Sequence, residues 1–206
     1  MSSDDCTAPL APPDRMRGPD AKGMYPWVAL LGLPAWELAR EGVPGRPAWA
    51  AAAGLLAAGV LYVATVRRAF AVPRRPVGWT FPALTVLSTL LAAVYHGAWY
   101  TLFIVAAIAA GTALRRTGPY VAAGLAAVAV VVELTGAAPG AGTGAVSLAW
   151  GTFTAGLVPW VILRLFDAIH QLRRTREELA RAAVERERLR FSRDLHDLLG
   201  HTLSVM

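Results

Sequence analysis

The stretch Glu185–Ser204 reads ERERLRFSRDLHDLLGHTLS, and it decides how the rest of the chain is interpreted. Read as a helix, it carries an apolar stripe at spacings of four, three and four, formed by Phe191, Leu195, Leu198 and Thr202. His196 lies off this stripe, and its neighbours one turn away are the small residues Ser192 and Gly200. The sequence therefore predicts a two-sided helix, with an apolar face for a partner helix and an imidazole left clear of bulky side chains.

A carboxylate accompanies this imidazole. Asp197 follows His196 directly and lies one turn from both Arg193 and His201, the spacing at which helical side chains meet. On spacing alone two interpretations stay open. The segment is either a solvated amphipathic helix with incidental histidines, or a helix that presents a reactive imidazole beside an acid.

The run of residues from Glu185 to Ser204 resembles the first helix of the dimerisation and phosphoacceptor domain of sensor histidine kinases. The subgroup is that of the nitrate-sensor and membrane-fluidity-sensor kinases, which pair with helix-turn-helix response regulators. The resemblance implies that His196 is the phosphoacceptor, that Asp197 is its adjacent acid or base, and that His201 positions water for dephosphorylation. It also implies a homodimer through the cytoplasmic helix, and a cognate response regulator whose aspartate receives the phosphoryl group.

In the resembled family, a second helix and an ATP-binding domain follow the phosphoacceptor helix. This chain ends at Met206. ATP with Mg²⁺ is therefore expected as the phosphoryl donor of a full-length kinase, whereas this chain alone is expected neither to bind ATP nor to phosphorylate itself. The glycines of Gly136–Gly144 are not followed by the Lys of a phosphate-binding loop, and this segment is interpreted as a flexible linker. No cofactor or metal site is predicted within the chain.

The apolar residues of the chain collect into blocks. They make up 55% of the 206 residues and lie mainly before Leu165, whereas the last part is dense in charge. Crossing a bilayer takes a helix of about 20 apolar residues. Blocks that approach this length are Tyr25–Arg40, Ala48–Val66, Val77–Val94, Gly97–Leu114, Tyr120–Thr135 and Val146–Phe166. The first is the weakest, because it is short, contains Pro34 and carries Glu37.

Basic residues mark the sides of the membrane. Except for Lys22 they are all arginines, and with six spans every basic cluster falls on one side. The clusters are Arg15 with Arg17 and Lys22, Arg67 with Arg68, Arg74 with Arg75, Arg115 with Arg116, and Arg164 with Arg173 and Arg174. Because positive loops stay in the cytoplasm, both termini are predicted to be cytoplasmic, in a multi-pass protein of the bacterial plasma membrane. The net charge of +6 is thus explained by topology, and no nucleic-acid partner is predicted.

The sequence predicts an all-α membrane protein, a six-span transmembrane helical bundle followed by a long cytoplasmic coiled-coil and phosphoacceptor helix. Its expected parts are a disordered cytoplasmic tail (1–23), the transmembrane sensor domain (24–166), a coiled-coil linker (167–184) and an incomplete phosphoacceptor domain (185–206). The function predicted from the resemblance is that of a membrane-bound sensor histidine kinase. The alternative is a non-enzymatic bundle, receptor-like or transporter-like, with a dimerising coiled-coil tail.

The linker carries a seam of apolar residues with a change of phase. The seam residues follow spacings of four, three, seven and four, and they are Leu165, Ile169, Leu172, Leu179 and Ala183. The stripe through Phe191 and Leu195 does not continue this register without a skip near 184–187. Such a skip locally unwinds a coiled coil. We therefore expect the skip to be the place where a signal becomes a rotation of the helix.

Three residues elsewhere have side chains that could form sites. Glu133 lies near the end of the fifth block, where an ionisable group is either functional or simply reaches water. His96 lies in a predicted external turn and is either a proton or metal sensor or an ordinary loop residue. Cys6 is the single cysteine, so it forms no disulfide within the chain, and no role is predicted for it.

Overall fold

The computed structural model describes the backbone of residues 21–42, 46–71, 78–136 and 142–204, and in the last range it describes the side chains of 144–191. Residues 1–20, which include most of the predicted tail and Cys6, lie outside the described residues. All regular structure in the described residues is helical. The prediction of an all-α chain is therefore confirmed for this part of the protein.

The helical elements follow the apolar blocks closely. In chain order they are a first 3-10 helix Ala21–Leu31, α1 Gly32–Glu41, α2 Ala48–Ala69, α3 Thr80–Tyr95, a second 3-10 helix Gly97–Tyr100, α4 Thr101–Ala113, α5 Gly118–Gly136 and α6 Gly142–Ser204. The first 3-10 helix continues into α1, and the second continues into α4. Every predicted block thus corresponds to one helical segment, because long apolar runs in this sequence are bounded by Gly, Pro and Arg.

The two prolines of the first block do not interrupt it. Pro26 lies within the 3-10 helix, and Pro34 is the third residue of α1. In the first turn of an α-helix the backbone N–H has no intrahelical partner, so proline is tolerated there. The buried Tyr62 hydroxyl of α2 donates a 2.8 Å hydrogen bond to the Met24 carbonyl, which fastens the 3-10 helix to the bundle.

Helix α4 forms the centre of the bundle. All of its residues from Leu102 to Thr112 except Ile104 are buried, and it contacts α2, α3 and α5. A helix that is apolar on all sides is expected in such a position. The small residues Ala58, Ala106 and Ala110 are also fully buried in this core.

The outside of the bundle is apolar. Leu56 and Val60 of α2 are 72% and 68% exposed, and Leu90 of α3 is 58% exposed. Contiguous exposed apolar surface of this kind is rare on proteins surrounded by water and normal on a surface that faces lipid. Three described helices are long and apolar enough to cross a membrane, namely Ala48–Ala69, Gly118–Gly136 and the helix Gly144–Phe191. Helices α3 and α4 are apolar but shorter.

The chain divides into two compact units, residues 1–161 and 162–206. The first contains α1–α5 and the N-terminal part of α6. The second is the remainder of α6, in which every side chain from Ala168 to Phe191 is exposed. The expectation that the helix leaves the bundle without interruption is confirmed by the continuous span of α6.

Candidate functional site

Helix α6 carries the proposed phosphoacceptor segment. Its 63 residues correspond to a length of about 94 Å at a rise of about 1.5 Å per residue. His196, Asp197 and His201 lie within this helix. The structure describes their backbone, and their side chains lie outside the described part. By helical register, Asp197 and His201 share a face, and His196 is rotated by about 100° from Asp197. The assigned roles of these three residues therefore stay predictions.

The residues of the predicted linker seam are exposed. Leu165, Leu172 and Leu179 are each more than half exposed, and Ile169 is 38% exposed. Beyond the seam, Val184, Leu189 and Phe191 are also more than half exposed. Arg181 and Glu177, one helical turn apart, form an ion pair at 3.9 Å with both side chains exposed. Such a pair contributes about 0.3–0.5 kcal/mol at most. Among the described side chains of this segment, the apolar seam is therefore left largely exposed.

Within the first unit, glycines hold α6 close to α4 and α5. A Cβ placed on Gly156 would lie 2.6 Å from the Ala122 Cβ of α5 and 3.0 Å from the Ala107 carbonyl oxygen of α4. A Cβ on Gly111 of α4 would overlap the Gly156 carbonyl oxygen. Close approach of backbones through small residues is the usual way in which membrane helices gain packing energy. These contacts fix the part of α6 that precedes its exit from the bundle.

Trp160 of α6 makes a second contact with the α4–α5 region. The Trp160 indole donates a 2.9 Å hydrogen bond to the carbonyl oxygen of Arg115, in the turn between α4 and α5. A Cβ on Gly118, where α5 begins, would lie 2.9 Å from the same indole ring. The ring therefore packs on the start of α5 and accepts no larger residue there. Sequence reasoning missed Gly111, Gly156 and Trp160, because they act across helices and share no spacing along the chain.

Polar side chains gather at the opposite end of the first unit, which we call the His96 end. Here α3 ends at Tyr95. The next residue, His96, has a φ of 59°, and the chain turns there into the second 3-10 helix. Glu37 of α1 accepts a 2.9 Å hydrogen bond from the Ala98 backbone N–H, directly after this reversal. The Glu37 carboxylate, which counted against the first block as a membrane span, therefore binds the backbone of the α3–α4 connection.

Glycines at the His96 end accommodate two further titratable side chains. The His96 imidazole packs directly against Gly136, the last residue of α5, and its Nδ1 lies 3.2 Å from the Tyr100 hydroxyl. The Glu133 carboxylate packs against Gly144 near the start of α6 and interacts electrostatically with Tyr100. His96 and Glu133 are thus each packed against a glycine of a neighbouring helix or helix end.

The interpretation that Glu133 simply reaches water is wrong for one of its oxygens. Glu133 Oε2 is buried and has no hydrogen-bond partner among the described residues. The carboxylate lies over Gly144 rather than pointing away from the bundle, because glycine leaves room for it. A buried acceptor without a donor is costly.

Among the described residues, no three His, Cys, Asp or Glu side chains are grouped as a metal site would require.

Arg46 has a local role at this end. Its guanidinium donates to the Val94 carbonyl oxygen and lies 5.5 Å from the centre of the Tyr95 ring. Carbonyl oxygens at a helix C-terminus attract cations, and aromatic faces do too. These contacts explain why an arginine lies in one of the connections that carry few basic residues.

We expect Gly97→Ala to destabilise the protein more than Gly42→Ala. Both glycines have positive φ, 59° and 64°, so both substitutions carry the backbone cost of about 1–2 kcal/mol. Only at position 97 would the new Cβ meet a neighbour, since it would lie 2.8 Å from Glu37 Oε1, whereas position 42 is open. Displacing Glu37 also removes its bond to Ala98, which adds about 1 kcal/mol. Thermal unfolding in detergent micelles measures both; equal losses would contradict the role of Glu37.

Comparisons of this chain with protein-family profiles, with curated proteins and with solved structures found no match.

Proposed function

We propose that this chain is the membrane sensor and phosphoacceptor part of a two-component signalling protein, phosphorylated on His196. The observation that supports this most is the continuity of α6, which runs as one helix from an apolar bundle to the motif around His196. A change in the bundle then acts on the phosphoacceptor segment through a single continuous helix. The motif itself supplies the chemistry, and the exposed linker seam supplies a surface for a second copy of the chain.

In this proposal the chain crosses the bacterial plasma membrane six times, with both termini in the cytoplasm. The first segment, a 3-10 helix of 11 residues followed by an α-helix of 10, extends about 37 Å at rises of about 2.0 and 1.5 Å. This length exceeds the bilayer core of about 30 Å. Helix α3 is shorter, at about 24 Å. Local thinning of the bilayer and flanking residues accommodate such a difference.

The distribution of arginine supports the same topology. Arg67 and Arg68 end α2, and Arg115 lies between α4 and α5. Arg173 and Arg174 lie on α6 after it leaves the first unit. With alternate helices antiparallel, these residues share one side of the membrane, which the positive-inside rule assigns to the cytoplasm. The His96 end then faces outward, and His196 faces the compartment that contains ATP and the response regulator.

The chemistry of His196 follows from its type and neighbours. A neutral imidazole nitrogen attacks the γ-phosphorus of ATP, ADP leaves, and the proton of the other ring nitrogen passes to a base. Asp197 is the proposed base, which also orients the ring before attack. The resulting phosphoramidate transfers its phosphoryl group to an aspartate of the response regulator. In the separate dephosphorylation reaction, His201 positions a water that attacks the phosphoaspartate of the response regulator and releases inorganic phosphate.

The proposal is tested by supplying the ATP-binding domain of a kinase from the resembled subgroup as a separate protein. With labelled ATP and the chain in lipid nanodiscs, we expect label that is acid-labile and base-stable. His196→Gln should remove it. His170→Gln is the matched control, because His170 is an exposed histidine on the same helix outside the motif.

Two results would contradict the proposed function. One is equal labelling of the His196→Gln variant and the unchanged chain, which would place the label elsewhere. The other is no labelling of the unchanged chain by several such ATP-binding domains, which would favour the non-enzymatic alternative.

A further inference from the structure

An open groove runs along the outside of the first unit between the first helical segment and α2. Its volume is about 650 Å³. One wall is formed by residues of the 3-10 helix and α1, including Val28, Leu31 and Ala35, and the other by residues of α2, including Leu56, Val60 and Val63. Gly59 forms part of the α2 wall, and a Cβ there would lie 3.2 Å from the Leu31 side chain. The lining is therefore apolar, with a narrow floor at Gly59.

Arg67 is the single charged residue of this lining. It lies in the last turn of α2, is exposed, and makes no hydrogen bond or ion pair with any residue that the structure describes. Its neighbour Arg68 is placed differently, since its guanidinium lies 5.8 Å from the centre of the Trp79 ring. The groove thus ends at a guanidinium whose donors are available to a ligand.

The dimensions of the groove match one leaflet of a bilayer. From Leu55 to Arg67, α2 rises by about 18 Å, and one leaflet contributes about half of the 30 Å hydrocarbon core. With α2 crossing the bilayer as proposed above, the apolar walls would lie at the depth of acyl chains and the Arg67 guanidinium at the level of lipid phosphates. A guanidinium binds phosphate through two parallel hydrogen bonds.

We propose that this groove binds one anionic phospholipid, with an acyl chain between the first helical segment and α2 and its phosphate on Arg67. The proposal rests on the membrane placement described under the proposed function, but not on the chemistry of His196. Charge complementarity favours an anionic lipid over an apolar peptide, because an apolar peptide has no anion to pair with the guanidinium. The cytoplasmic leaflet, where the proposed topology puts Arg67, is rich in anionic lipid.

Native mass spectrometry of the full chain, released from detergent micelles, tests this. The added probes are phosphatidylglycerol and phosphatidylcholine with the same acyl chains. We expect preferential retention of phosphatidylglycerol, and Arg67→Gln should lower its retention about fivefold while leaving phosphatidylcholine unchanged. Arg68→Gln is the matched control and should retain the preference, since Arg68 does not line the groove. Gly59→Leu, which fills the narrow floor, should lower retention of both lipids.

Several outcomes would overturn the proposal. They are no preference in the unchanged chain, a preference that survives Arg67→Gln, or an equal loss in Arg68→Gln, which would indicate unspecific attraction to a basic rim. Displacement of the lipid by excess inorganic phosphate would show that the acyl chain adds nothing. Dimers that disappear in Gly59→Leu, with no lipid bound, would assign the groove to a second copy. The assay involves no phosphoryl transfer, so its failure and that of the proposed function are distinguishable.

Discussion

Replacing Gly156 by leucine is expected to lower the stability of the bundle by about 3 kcal/mol, at the upper end of the cost of overpacking. Even a Cβ at this position would lie 2.6 Å from the Ala122 Cβ and 3.0 Å from the Ala107 carbonyl oxygen. Backbone atoms cannot move aside as the end of a flexible side chain can. Helix α6 would therefore separate from α4 and α5. For a chain of this size the apparent Tm should fall by roughly 6–12 °C.

Gly124→Leu is the control for this effect. Gly124 is also a helical glycine, in α5, but a Cβ there meets no atom within 4 Å. Both substitutions gain the same helix propensity, so the difference between them isolates the contact with Ala107 and Ala122. The measurement is thermal unfolding in detergent micelles followed by circular dichroism. Equal Tm values for the two variants would show that α6 does not pack against α4 at Gly156.

The second large effect is expected from insertions in the linker. One alanine inserted after Val184 rotates the following helix by about 100°, four rotate it by about 40°, and seven rotate it by about −20°. If the bundle controls His196 through the rotation of α6, one residue should change His196 labelling about fivefold or more, whereas seven should nearly restore it. Leu179 and Val184 are 64% and 69% exposed. An insertion after Val184 would therefore disturb little side-chain packing around these two residues.

The readout is labelling of His196 by the separate ATP-binding domain, with the chain in nanodiscs. Circular dichroism of the three variants controls for helix content. Labelling that is indifferent to a one-residue insertion would contradict the rotation hypothesis. A progressive decline with insertion length, without recovery at seven residues, would contradict it too, because it would indicate a dependence on distance rather than on phase.

The helices were predictable because hydropathy and helix-breaking residues act locally. The blocks Ala48–Val66 and Tyr120–Thr135 lie within α2 and α5, each extended by only a few residues. The same holds for the continuity of α6, since no proline follows Pro159 in it and its one later glycine, Gly200, lies close to its end. The first block was less clear, because Pro34 and Glu37 count against a span when they are read alone. Both residues fit the helix in the structure, because Pro34 lies in the first turn of α1 and Glu37 accepts a hydrogen bond from the Ala98 N–H.

The candidate phosphoacceptor site was predicted from the motif around His196, and its side chains lie outside the described residues. The cluster at the His96 end shows the opposite case. Nothing in the sequence joins His96 to Gly136, or Glu133 to Tyr100, because these pairs lie on different helices. Only the packing of the helices brings the His96 imidazole against Gly136 and the Glu133 carboxylate against Gly144.

The sequence by itself determined that the described part of this chain is helical, where its apolar blocks begin and end, and which residues resemble a phosphoacceptor helix. Composition, periodicity and motif spacing are properties of neighbouring residues, so they can be read along the chain. The tertiary structure decided that α4 is the core helix, that Gly111 and Gly156 set the approach of α6, and that Arg67 closes an apolar groove. Such contacts depend on which helix faces meet, and that is fixed by the packing of the whole bundle rather than by any one segment.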